Sequence, residues 1–146
     1  MPSTANPSRV SAATIKAGLT YVIAVFAVAF LLGAIRVLIV IPRLGETLAV
    51  LLETPILLVI SWQVSQWCVR VFRVGPTTAE RAWMGAIAFA VLMLAEFSLS
   101  NAIFERTPAD YVKTFLSPAG AIGLAAQVGF AFIPWIQARM PRSGSD

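Results

Sequence analysis

Four stretches of this chain are apolar for long enough to cross a hydrocarbon layer about 30 Å thick, which takes about twenty residues of helix. The first runs from Ala17 to Ile41 and contains one ionisable side chain, Arg36. The second runs from Glu46 to Val69 and carries Glu46 and Glu53. The third runs from Ala79 to Ile103, with Glu80 and Arg81 at its start and Glu96 deep inside it. The fourth, Pro118 to Gln137, has no ionisable residue. None of the four shows the strict apolar/polar alternation of a half-buried strand, so all four read as helices.

Punctuation between the stretches sets their limits. Pro42 is expected to end the first span, and the short link Pro42-Arg43-Leu44-Gly45 makes the first two helices a tight antiparallel pair. Arg70, Arg73, Gly75 and Pro76 mark the next loop, and Thr77 or Thr78 can cap the third helix. Ser117-Pro118 is a cap followed by proline at the first helical position. Thr107-Pro108-Ala109-Asp110 repeats that signal and opens a short amphipathic segment, Asp110 to Leu116, expected to lie at the membrane interface. The first apolar run continues well past small residues such as Ala27-Val28-Ala29, so it reads as a retained helix rather than a cleaved signal. The expected fold is an all-α integral membrane protein, one four-helix transmembrane domain over residues 1–146. Residues 1–14 and 140–146 are expected to be disordered tails.

Composition agrees with that pattern and narrows the chemistry. Hydrophobic residues make up 58% of the chain and charged ones 12%, about half the charged share of a soluble domain. Histidine is absent and Cys68 is the lone cysteine. Zinc sites built on Cys or His, histidine-ligated haem and Ser–His or Cys–His nucleophiles are therefore excluded. No metal, cofactor or catalytic residue is assigned. Cys68 reads as a packing or lipid-facing residue. The net charge of +4 does not suggest nucleic acid, because the basic residues stand at segment ends. Arg9, Lys16, Arg70, Arg73, Arg81, Arg139 and Arg142 fall on one side; Arg43, Arg106 and Lys113 fall on the other, among Glu46, Glu105 and Asp110. Positive charge marks the cytoplasmic side, which places both termini there, in a bacterial inner membrane. Trp62, Trp67, Trp83 and Trp135 belong to the same side as an aromatic belt.

The ionisable residues inside the spans carry the functional information. Each costs about 2.5–3.5 kcal/mol to insert, so such residues face the bundle interior and pair. At about 1.5 Å per residue, Arg36, Glu53 and Glu96 all lie roughly 8–10 Å below the outer ends of their helices. Equal depth lets them meet. One glutamate is expected to pair with Arg36. Two carboxylates resist joint ionisation in low dielectric, so the other is left to hold a proton, a cation or a polar ligand. Glu53 is the candidate for that role, because Pro55 frees the Leu51 carbonyl beside it. Spacings of seven place Arg36 with Arg43 and Glu46 with Glu53 on shared faces, which predicts an outer Arg43/Glu46 pair above Arg36/Glu53 and a polar path to a blind end. Pro134 likewise frees the Phe130 carbonyl, and both prolines are expected helix kinks. Gln63, Gln66 and Gln127 could extend polarity inward or simply bond between helices. Gly120, Gly123 and Gly129 with Ala125 and Ala126 form a small-residue face suited to close packing or dimerisation.

These features imply a proton, ion or small-solute carrier or binding protein, working as a homodimer because four helices are few for a path. The alternative is a non-catalytic accessory subunit or assembly factor in a larger membrane complex, with a structural charge cluster. An intramembrane enzyme using glutamate acid/base chemistry ranks last, since no Asp-rich metal–diphosphate motif is present.

Overall fold

The computed structural model of the protein describes residues 10–141, and every described element is helical. Four helices are long and apolar enough to cross a membrane: α1 (Ala12–Leu44), α2 (Glu46–Phe72), α3 (Thr78–Phe104) and α5 (Pro118–Arg139). A short helix, α4 (Pro108–Thr114), precedes the last of them. At 1.5 Å per residue the four long helices measure about 50, 40, 40 and 33 Å, each more than the hydrocarbon core. By length and composition the chain is a multi-pass membrane protein. Large apolar side chains such as Ile23, Leu31, Leu52, Val59 and Leu94 point outward, as lipid-facing positions do.

The caps follow the sequence signals. Ser11, Thr77, Thr107 and Ser117 each accept the backbone N–H three residues on, from Thr14, Glu80, Asp110 and Gly120. Each satisfies an orphan donor of the first turn. Thr77 is thus the cap of α3, not Thr78. The Ser11 cap starts α1 five residues before the expected Ala17, and Thr14 is fully buried. The part of the predicted N-terminal tail from Ala12 to Thr14 is therefore helix. The rest of both predicted tails lies largely outside the described residues.

Pro42 does not end the first helix. It lacks an N–H for the Leu38 carbonyl, and its ring crowds that carbonyl. The chain answers by widening: Arg36–Val40 form a π-helical turn, in which the Ile41 N–H reaches back to the Arg36 carbonyl. Helix then continues through Pro42 to Leu44 and stops at Gly45, whose φ of 80° is open to glycine at no steric cost.

Both α1 and α5 pack against α2 and α3, so α1 and α5 face one another across the middle of the bundle. The end that carries the start of α1 and the end of α5 is tightly packed. Ala17, Tyr21, Val22, Val25, Cys68, Met84, Ala88, Leu92 and Phe130 form its core. Cys68 is fully buried there, a packing residue as expected. Small residues allow the close approach. A Cβ on Gly85 would collide with the Ala131 carbonyl, and one on Gly18 would lie 2.9 Å from the Met84 carbonyl oxygen. The expected small-residue face on α5 is only partly used this way. Gly129 meets Leu58, while Gly123 has nothing within 4 Å of where a Cβ would stand.

Tyr21 ties the centre together. Pro134 leaves the Phe130 carbonyl without its helical donor, and the Tyr21 hydroxyl donates to that oxygen at 3.0 Å. The two rings stack at 4.4 Å. A clasp closer to the packed end joins α2 to α5: Ser65 Oγ donates to Gln137 Oε1 at 2.8 Å, and Gln137 Nε2 donates to the Trp62 carbonyl at 2.9 Å.

Candidate functional site

Above the Tyr21–Phe130 layer the helices diverge. The widened turn of α1, Pro55 in α2 and the entry of α5 at Pro118 all lie on this side, and a cavity of about 1030 Å³ opens between the four helices. Its floor includes Val22, Ser61 and Phe130; its rim includes Glu46, Arg106 and Ser117. Most of its wall is apolar, from Phe26, Phe30, Leu57, Leu58, Leu99 and Leu124. Arg36, Glu53 and Glu96 also line it, so matched depth does bring the three together.

Their partners differ from expectation. Arg36 Nε lies 3.1 Å from Glu53 Oε2. The N–H is not aligned on the oxygen, so the contact is a Coulombic ion pair rather than a directed hydrogen bond. Glu53 is therefore the paired glutamate, not the free one. Glu96 has no cation within 4.0 Å among the described residues, although the Arg36 charge acts on it from farther away. Neutral donors hold it instead. Gln127 Nε2 of α5 donates to Glu96 Oε2 at 2.6 Å, and the Tyr111 hydroxyl of α4 donates to the same oxygen at 3.4 Å.

The position of Tyr111 depends on α4. Thr107 and Asp110 form a reciprocal cap: the Thr107 hydroxyl donates to Asp110 Oδ2 at 2.7 Å and accepts the Asp110 N–H. Lys113 Nζ lies 3.3 Å from Asp110 Oδ1. The Thr107 hydroxyl and Lys113 hold the Asp110 carboxyl below its usual range. One residue on, Tyr111 packs edge-on against Phe97 and Phe115. Burial, together with the neighbouring Glu96 charge and their hydrogen bond, pushes the Tyr111 phenol up to about 12, so it is a donor at any ordinary pH.

The outer pair is not formed. Arg43 and Glu46 are both exposed and share no ion pair among the described residues. The reason lies in the π turn. One extra residue in a turn rotates all that follows by about 100°, so a spacing of seven across it no longer shares a face. Glu46 still reaches the cavity rim, whereas Arg43 does not. Gln63 and Gln66 are exposed on the outside of α2, so they form no inward path. Gln127 lies at the level of the cluster rather than below it. Thr54, beside Pro55, donates its hydroxyl to the Val50 carbonyl at 2.9 Å; Leu51, whose carbonyl Pro55 frees, does not line the cavity.

Compared with known proteins, the chain matches no family, no curated protein and no solved structure at a significant level.

Sequence reasoning did not find Tyr21 and Tyr111. Tyr21 had a usable signal, since a carbonyl freed by Pro134 in a helix bundle needs a donor from another helix. Tyr111 read as one apolar residue of an amphipathic segment, and nothing local predicts that its hydroxyl reaches α3.

Proposed function

We propose that the chain is a small-solute carrier or binding protein of the membrane, with the cavity as its site and Glu96 as the group that receives the solute. One observation carries this reading: a cavity of drug-binding size converges on a carboxylate that has no cation within 4.0 Å among the described residues. The ion pair of Arg36 and Glu53 has the structural role of fixing α1 against α2. Glu96 is the member of the cluster with capacity to spare. The Lys/Arg distribution supports placing the packed end in the cytoplasm, so that the cavity opens outward. An all-helical set of spans fits a bacterial inner membrane better than an outer one, whose spanning proteins are β-barrels. Passage beyond the Tyr21–Phe130 layer would require that layer to part, or a second copy to provide the other face.

A thiol introduced at Gly123 tests the site and its orientation together. Gly123 lines the cavity with free space at its Cβ position. In a Cys68→Ser background, Gly123→Cys should react with a membrane-impermeant maleimide in intact cells. Reaction only in inverted vesicles would keep the cavity and reverse the orientation. No reaction from either side, while an Ala109→Cys control is labelled, would rule out the solute site.

The accessory-subunit reading retains one supporting feature. Gln63 and Gln66 stand exposed on a membrane-spanning helix, and among the described residues neither has a hydrogen-bond partner. Lipid offers them none, and a partner helix could. Crosslinking from Gln66→Cys to another protein, with no effect of cavity variants on cell phenotype, would favour it.

A further inference from the structure

The polar atoms left open around Glu96 describe the solute. Among the described residues, both donors to this carboxyl fall on Oε2 and none on Oε1. Gln127 points its Nε2 at Glu96, which leaves Gln127 Oε1 buried without a partner. Ser100 Oγ is buried without a partner as well. Ser100 stands four residues after Glu96, on the same face of α3, and all three residues line the cavity. Buried polar atoms such as Gln127 Oε1 and Ser100 Oγ are normally satisfied; with the undonated Glu96 Oε1 they make three acceptors open to donors in one cavity.

The rest of the wall limits what the donors belong to. A bare divalent ion is a poor match, because the described residues contain no group of three His, Cys, Asp or Glu side chains able to hold one. The volume is far larger than an ion needs. A carboxylate or phosphate would meet a lining of net negative charge, since Glu46, Glu53 and Glu96 stand against Arg36 and Arg106. The apolar lining asks for an apolar body of its own.

Resting on the reading of the cavity as a solute site, we propose that its solute is an amphiphilic amine: one protonated primary ammonium carried on an apolar body. The ammonium is received by Glu96 Oε1, Gln127 Oε1 and Ser100 Oγ. An alkylammonium has three N–H donors for these three acceptors, and its positive charge is matched by the carboxylate in the low dielectric of the bundle. The apolar body lies against Phe26, Phe30, Leu57 and Leu124.

Calorimetric titration of the protein in nanodiscs, with empty nanodiscs subtracted, tests this with three probes of one length: decylammonium, decanol and decanoate. Wild type should bind decylammonium at least tenfold more tightly than decanol, and decanoate not at all. Glu96→Gln should reduce that preference to less than threefold. Gly123→Trp, which fills the cavity from a position with free space, should abolish binding of every probe while leaving the protein folded by circular dichroism. Equal binding of decanol and decylammonium to wild type, lost in Gly123→Trp, would overturn the amine and keep the cavity. Undiminished binding in Gly123→Trp, or no probe binding at all, would overturn the cavity reading itself.

Discussion

At the residue scale, the cluster separates a structural pair from a receptive carboxylate. Removing one partner of a buried ion pair leaves the other uncompensated, at a cost of about 3–5 kcal/mol. Arg36 keeps 31% of its side chain exposed, so the lower end of that range applies. Arg36→Ala should therefore reduce the folded yield and lower the thermal midpoint. Adding Glu53→Gln should restore much of the loss; adding Glu96→Gln should not. Equal rescue by either glutamine would break the assignment of partners. Tyr21 makes a second test. Interhelical hydrogen bonds in membranes average only about 0.6 kcal/mol, because a lost bond is usually replaced. The Phe130 carbonyl has no replacement, since Pro134 has no N–H, so Tyr21→Phe should cost about 1–2 kcal/mol. Pro134→Ala restores a donor, and in its presence Tyr21→Phe should cost measurably less. Additive costs in that double-mutant cycle would contradict the link.

At the element scale, two devices shape the open half, the π turn before Pro42 and the short helix α4, while the glycine contact at Gly85 closes the packed one. Gly85→Ala should cost about 1–3 kcal/mol through collision with the Ala131 backbone. Gly123→Ala should be neutral or slightly stabilising, and size-exclusion yield with thermal melting will show which glycine limits packing. The cap of α4 gives a pH dependence. The Asp110 carboxyl is held below its ordinary value of 3.8 in the folded state. Its contribution is thus complete above the unfolded value and is lost as pH falls through the lowered folded one. Tyr111 should loosen from Glu96 only in that acid range, seen as a change in tyrosine fluorescence, and Asp110→Asn should show it already at neutral pH. The spans and caps of these elements were legible in the sequence, because proline, threonine, serine and long apolar runs act locally. The π turn was not. Pro42 reads as a stop when only the lost hydrogen bond is considered, and the choice between stopping and widening depends on what packs around it. That single choice undid the predicted Arg43/Glu46 pair.

At the scale of the whole molecule, the bundle is packed at one end and splayed at the other, and the boundary is the Tyr21–Phe130 layer. Depth counting along each helix was enough to place Arg36, Glu53 and Glu96 in one cavity. It could not decide which glutamate takes the arginine, because that depends on helix rotation, and on partners from α4 and α5 that lie far away in sequence. Glu96 is therefore the working carboxyl in a mostly apolar chamber. Infrared difference spectra, recorded as decylammonium is added to the protein in nanodiscs, test this most directly. A change in the carboxyl stretching region is predicted for wild type. It should persist when the ion pair is removed as Arg36→Gln with Glu53→Gln, and vanish in Glu96→Gln. A change that survives in Glu96→Gln, or that disappears with the Arg36–Glu53 pair, would contradict the account.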